Sequence, residues 1–162
     1  MRYLSLPQVE LLLHDLRDGP SSEFSRMVTW RLPVDVCVEP LQRRFADLIG
    51  ELRLARRVRR DDHGWYLEPT PYPPEVYVER HLADGDGEAA QQRLVVERQR
   101  SLDPVSGPLA RGTLLLCQSS CAYLVVAVHN LSLEWCSPLR LARELTEAAL
   151  PEQPLAGRHP RH

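Results

Sequence analysis

The residues with chemistry to offer gather in one short stretch, His129-Asn-Leu-Ser-Leu-Glu-Trp-Cys136. His129 is its natural proton acceptor near neutral pH. Asn130, beside it, gives and takes hydrogen bonds but binds no proton. Glu134 adds a carboxylate and Trp135 adds bulk. The stretch follows Tyr123-Leu-Val-Val-Ala-Val128, the most apolar run in the chain, and precedes Ser137-Pro138. A buried strand that hands a His to a loop ahead of a helix sets a polar group at the floor of a cleft. On that basis His129 is either a general base or a packed, hydrogen-bonded structural side chain.

Other chemically active groups are sparser. All 20 basic residues are Arg, which excludes Schiff-base and P-loop lysine chemistry. Cys37, Cys117, Cys121 and Cys136 have neither a CxxC spacing nor a His partner at zinc spacing, so free thiols in a reducing cytoplasm are expected and no metal site. Ala83-Asp-Gly-Asp-Gly87 has the carboxylates of a calcium loop without its length. His159 and His162 lie in a tail without periodicity. Arg53, Arg56, Arg57, Arg59 and Arg60 form a basic run, read either as a solvated strand edge or as a docking patch for an acidic partner.

The chain has 162 residues and a net charge of −2, with 43% apolar and 26% charged residues. That is one ordinary globular domain, and the charge argues against nucleic-acid binding. No apolar run approaches a membrane span and the N-terminus lacks a signal-peptide core.

The elements that must position the His stretch are legible from period and punctuation. Helical spacing runs from Ser5 to Arg17, through Leu6, Val9, Leu12, Leu13 and Leu16. Phe24–Leu32 reads as a strand. A helix from Asp35 or Val36 to Glu51 carries Leu41, Phe45, Leu48 and Ile49 on one face. Leu54–Arg60 and Trp65–Leu67 form a hairpin about Asp61–Gly64. Pro69–Pro74 is a stiff linker, Val76–Leu82 a strand, and Glu88–Arg100 a polar surface helix. Arg111–Cys117 and Ala122–Val128 form a second hairpin about Gln118–Ser120, its latter strand central and covered on both faces. Ser137 caps a helix with Pro138 at its first position and Leu141, Leu145 and Ala148 inward. Residues 151–162 are expected to be a disordered tail. The sum is an α/β (α+β) sandwich, a mixed sheet of about five or six strands with three or four helices packed on it.

Four stretches then carry a resemblance. Leu4-Ser-Leu-Pro-Gln8 resembles an opening LSxxQ helix. Val36–Arg57 resembles a helix and strand with LxxAL…LRT, Arg56 matching the arginine. Ser101-Leu-Asp-Pro-Val-Ser-Gly-Pro-Leu-Ala-Arg111 is similar to fDlxxGPLxR. His129–Trp135 stands at HHxxxDG, and Ser137, Leu141, Glu144 and Leu145 match the SxxxLxxEL helix after it without a gap. In this order they resemble the N-terminal lobe of condensation domains of nonribosomal peptide synthetases, over residues 4–150. The resemblance implies one lobe of the chloramphenicol acetyltransferase-like fold.

It also implies roles. His129 falls on the first His, Asn130 on the second, Glu134 on the Asp and Trp135 on the Gly. In that family the second His meets the acceptor amine and the thioester, while the first His and the Asp are structural and the Asp pairs with an Arg. Arg111 is the arginine expected near Glu134. Asn130 cannot take a proton, and Trp135 replaces a Gly whose backbone freedom it lacks, with bulk expected beside the tunnel. The family's C-terminal lobe, the other wall of that tunnel, is absent. The expectation is therefore a cytoplasmic protein of antibiotic or other secondary-metabolite biosynthesis, non-catalytic by itself. It would dock a carrier protein, recruit another synthetase domain or tailoring enzyme, or complete a split condensation domain. The alternative is an acyltransferase active as a homodimer or with a separate C-terminal-lobe partner; a decayed, poorly folding fragment is the third account. No cofactor is expected, since substrates would ride on the phosphopantetheine of carrier proteins.

Overall fold

The structure, a computed structural model, describes residues 2–19, 22–71, 74–82, 88–117 and 121–151. Its elements are β1 (Arg2–Tyr3), α1 (Leu6–Asp18), β2 (Ser25–Leu32), α2 (Val38–Glu51), β3 (Arg56–Asp61), β4 (Gly64–Pro69), β5 (Val76–Leu82), α3 (Glu88–Gln99), β6 (Ala110–Cys117), β7 (Ala122–His129) and α4 (Pro138–Ala149), with 3₁₀ turns at Ser22–Phe24 and Asn130–Ser132. The expected α/β class is observed. In place of the one mixed sheet of five or six strands expected, the described residues form two sheets, a four-stranded one ordered β2-β7-β6-β5 and a three-stranded one ordered β1-β4-β3.

The larger sheet is mixed: β7 runs antiparallel to β2 and β6, and β5 runs parallel to β6 at the edge. Every residue of β7 is buried. Ala122, Leu124, Val126 and Val128 face a core shared with Leu41, Phe45, Leu48 and Ile49 of α2 and Leu141, Ala142 and Leu145 of α4. Tyr123 and Val125 face the opposite side, against Ala90 and Leu94 of α3. Layers on both faces explain why the strand reads as a continuous apolar run, and each fully buried Leu there contributes about 1.5–3 kcal/mol.

Local signals hold at the helix ends. Ser5 caps α1 in a capping box: Gln8 N–H donates to Ser5 Oγ at 3.4 Å, and Ser5 N–H donates to Gln8 Oε1 at 2.9 Å. Ser137 caps α4, with Pro138 in its first turn.

Three details differ from the sequence reading. α2 begins at Val38, because Cys37 N–H donates to Ala149 O at 2.7 Å and holds the preceding segment against the end of α4. Ala149 rather than Ala148 takes the last inward position of α4. α3 is not simply a surface helix, since Ala90, Leu94 and Glu97 are buried on its sheet side. The turns expected at Ala83–Gly87 and Gln118–Ser120, the tail beyond residue 151 and residues 72–73 of the proline stretch lie outside the described residues.

Two glycines set opposite expectations. Gly107 has φ +65° beside a cis Gly107–Pro108 bond, and a Cβ there would lie 2.5 Å from Thr70 Cγ2 and 2.6 Å from Arg56 O. Gly50 is in α2, exposed, with nothing within 4 Å of its would-be Cβ. Gly107→Ala is expected to cost about 3 kcal/mol through overpacking and the left-handed backbone. Gly50→Ala is expected to stabilise by about 0.5–1 kcal/mol through helix propensity. Urea unfolding of the two variants checks both signs.

Candidate functional site

Backbone pairing brings the four motif stretches to one place. The ladder of β2 and β7 sets His129 opposite Ser25. His129 N–H donates to Leu109 O at 2.8 Å, and Leu109 N–H donates to Leu54 O at 3.0 Å. The Gly107–Arg111 stretch thus links the segment after α2 to the end of β7. α1 reaches the same point from its polar inner face, where Gln8 Nε2 donates to Leu131 O at 3.2 Å.

His129 is fully buried there. Its Nε2 lies 2.8 Å from Asp15 Oδ2, and its Nδ1 is 3.1 Å from Leu131 N. A backbone N–H can only donate, so Nδ1 is the acceptor and carries no proton. Nε2 must then carry the hydrogen and donate it to the Asp15 carboxylate. Burial pushes the imidazole pKa below its ordinary 6.5, with Asp15 opposing. The result is a neutral ring with both nitrogens engaged and no lone pair directed outward.

Asp15, 3% exposed, is a site residue that sequence reading missed. The apolar spacing of α1 drew attention to Leu6, Leu13 and Leu16, which are 72%, 50% and 41% exposed. The stripe that turns inward is Gln8, Leu12 and Asp15, and it mixes polar with apolar residues. The available signal was helical: Gln8, Leu12 and Asp15 stand at i, i+4 and i+7.

Asn130 donates through Nδ2 to Glu23 O at 3.4 Å, while its Oδ1 is buried without a partner, as are Ser25 Oγ and Ser132 Oγ. Five cavities that open among the described residues are lined by neither His129 nor Asn130.

The expected pairing of Arg111 with Glu134 is not formed. Glu134 is exposed, and Arg111 Nε lies 3.0 Å from Glu97 Oε1 of α3, on the other face of the sheet from α2 and α4. Glu97, with no side-chain exposure, also takes Thr113 Oγ1–H at 2.7 Å, Arg93 Nη1 at 3.0 Å and Arg100 Nη1 at 3.2 Å. Sequence reading erred because the partner comes from a different element, α3, whose polar composition looked superficial.

Trp135 does not narrow a space at His129. Its indole N–H donates to Leu52 O at 2.8 Å, and the Arg2 guanidinium lies 5.3 Å from its ring centroid. Arg56 is half-buried in the same neighbourhood as Trp135. Within the basic run, Arg57 and Arg59 both bond Glu68 Oε1 at 2.8 Å, and Arg60 lies over Trp65. The proposed docking patch is therefore largely occupied by its own hairpin. Burial pushes the Cys136 thiol up to about 11, so it stays protonated near neutral pH. Among the described residues no group of three or more His, Cys, Asp and Glu is placed to hold a metal ion, and no helix is long and apolar enough to cross a membrane.

Two pH effects follow. Burial alone would raise the Glu97 pKa, but Thr113 and the three arginines outweigh it and lower it from 4.5 to about 2. A depressed carboxylate stabilises the fold above its unfolded pKa, so stability is expected to drop as pH falls from 4.5 towards about 2. Glu97→Gln flattens that limb while lowering stability at neutral pH. His129 is depressed too, so the unfolded chain takes the proton first and stability declines as pH falls below 6.5. His129→Gln, which keeps a donor towards Asp15 without titrating, removes this decline. Urea midpoints measured across pH read out both; a wild-type midpoint unchanged below pH 6.5 would contradict a neutral buried ring.

No protein-family model matches the chain, and no curated protein does. Solved structures do. The starter condensation domain of rhizomide synthetase RzmA superposes with TM-score 0.73 at 17% identity, covering 96% of this chain and 40% of that one. The first condensation domain of the CDA synthetase gives TM-score 0.63 at 19% identity, covering 80% and 35%. The same domain of the calcium-dependent antibiotic synthetase, in complex with a substrate analogue, gives 0.63 at 18%, covering 80% and 34%. The chain spans about two fifths of the RzmA domain it matches and less of the others. It has the condensation-domain fold over the extent of one lobe, the chloramphenicol acetyltransferase-like architecture that its four sequence stretches resemble.

Proposed function

We propose that this chain is a condensation-domain-like protein of nonribosomal peptide biosynthesis that acts by association rather than by forming amide bonds itself. It docks a carrier protein, recruits a tailoring enzyme or completes a split condensation domain in the cytoplasm. The observation that carries this reading is that neither motif side chain at the end of β7 is free to take a proton. Amide formation from a thioester requires the attacking amine to shed a proton. His129 has both nitrogens committed to Asp15 and Leu131, and Asn130, at the position of the family's second His, accepts no proton.

One observation favours the alternative. Asn130 Oδ1 is buried and unpartnered, an acceptor that an amine delivered across a second lobe or a second copy would satisfy. On that reading the chain is an acyltransferase in which Asn130 orients the acceptor, working as a homodimer or with a C-terminal-lobe partner. Substrates in either case arrive on the phosphopantetheine of carrier proteins.

Light scattering of the chain alone and with carrier proteins encoded beside it, paired with an assay for amide product from carrier-bound thioesters, separates the two. A complex without product is expected. Product from the chain alone that Asn130→Ala abolishes would overturn the association role and establish the transferase.

A further inference from the structure

A cavity of about 280 Å³ opens between the C-terminal end of α2, β1, the start of β3 and the loop after the 3₁₀ turn that follows β7. Arg2, Arg53, Arg56 and Trp135 line it, with Leu52 and Leu67 as its apolar part. Three arginines line this one small space, two of them at exposed positions, so an oxyanion entering it meets concentrated positive charge. The single carboxylate at its rim, Glu51, is bonded to Arg44 at 3.4 Å. Among the described residues, Arg56, half-buried as a residue, has no side-chain hydrogen bond or ion pair, which leaves its guanidinium open to an anion.

The arginines are not there to cap α2. The carbonyls of Leu48, Ile49 and Gly50 accept from Leu52 N–H, Leu54 N–H and Arg53 N–H at 2.8, 3.0 and 3.2 Å. The Leu52 carbonyl accepts from the Trp135 indole. With the helix end satisfied, the cationic groups are left for something else. They are also pre-placed. Trp135 is anchored by that bond and carries Arg2 on its face. Arg53 sits at φ 54°, the one positive-φ non-glycine residue among those described, which sends the chain from α2 into β3 past the cavity.

We infer that this cavity binds a small organic oxyanion: a carboxylate or phosphate monoester on a compact apolar body. The guanidinium groups take the oxygens in charge-assisted bonds, and the body lies on Trp135, Leu52 and Leu67. A concave space of this size suits a small molecule better than the flatter contact of an acidic peptide. Binding here needs no partner lobe and does not depend on the association role.

The test uses the full chain labelled with ¹⁵N, following the indole N–H signal of Trp135, assigned by its loss in Trp135→Phe. Phenyl phosphate, benzoate and neutral phenol are titrated separately. One of the two anions is expected to shift that signal saturably while the Trp30 and Trp65 signals stay. The tighter anion tells phosphate from carboxylate. Arg56→Gln is expected to weaken binding about tenfold, and Arg53→Gln, at an exposed position, gives the same direction without any folding concern. Equal binding of phenol, no saturable shift with either anion, or affinity unchanged in both variants would overturn the assignment. So would tighter binding of an oligo-glutamate peptide, which would make the site a protein-docking surface.

Discussion

The bond between His129 and Asp15 is the constraint on which the rest of this molecule depends. Both groups are almost wholly removed from water, so each needs the other. Their union pins α1 to the end of the central strand across a sequence separation of 114 residues. Around it, His129 N–H binds Leu109 O, Nδ1 takes Leu131 N–H, and Gln8 reaches Leu131 O. The opening helix, the Gly107–Arg111 stretch and the loop after β7 meet at one side chain. At that junction both ring nitrogens are engaged and no lone pair is directed outward, the arrangement of a packed side chain at the position most suggestive of catalysis.

A second polar centre does for α3 what His129 does for α1. Glu97 is buried on the sheet side of a helix whose sequence is mostly polar, and it is satisfied by Thr113, Arg93, Arg100 and Arg111. Taking a carboxylate out of water is tolerated because every neighbour that could be a donor is one. The helix thereby closes the second face of β7 with few apolar residues. Arg111 serves this centre rather than the loop after the strand, which leaves Glu134 in solvent and that loop without an internal ion pair.

These two centres redistribute the expected site. His129 turns inward, Trp135 turns towards α2 and β1, and Arg56 stands beside Trp135 rather than near His129. The cationic character of the region therefore concentrates at the Trp135 cavity. The remaining polar atoms at the strand end, Asn130 Oδ1 with the Ser25 and Ser132 hydroxyls, lie in protein without partners.

The sequence by itself determined most of the elements and the covering of β7 on both faces, but not the division of the strands into two sheets. The unbroken apolar run 122–128 demanded two covered faces, the capping chemistry of Ser137 marked a helix start, and the spacing of Leu41, Phe45, Leu48 and Ile49 selected the inner face of α2. All of these are local signals, carried by period and by hydrogen bonds between near neighbours. Tertiary structure alone decided which polar groups meet. Asp15 finds His129, Glu97 gathers Arg111, and the Trp135 indole finds Leu52. No local rule selects such partners, because a buried charge accepts whichever complementary group the packing of distant elements brings within reach.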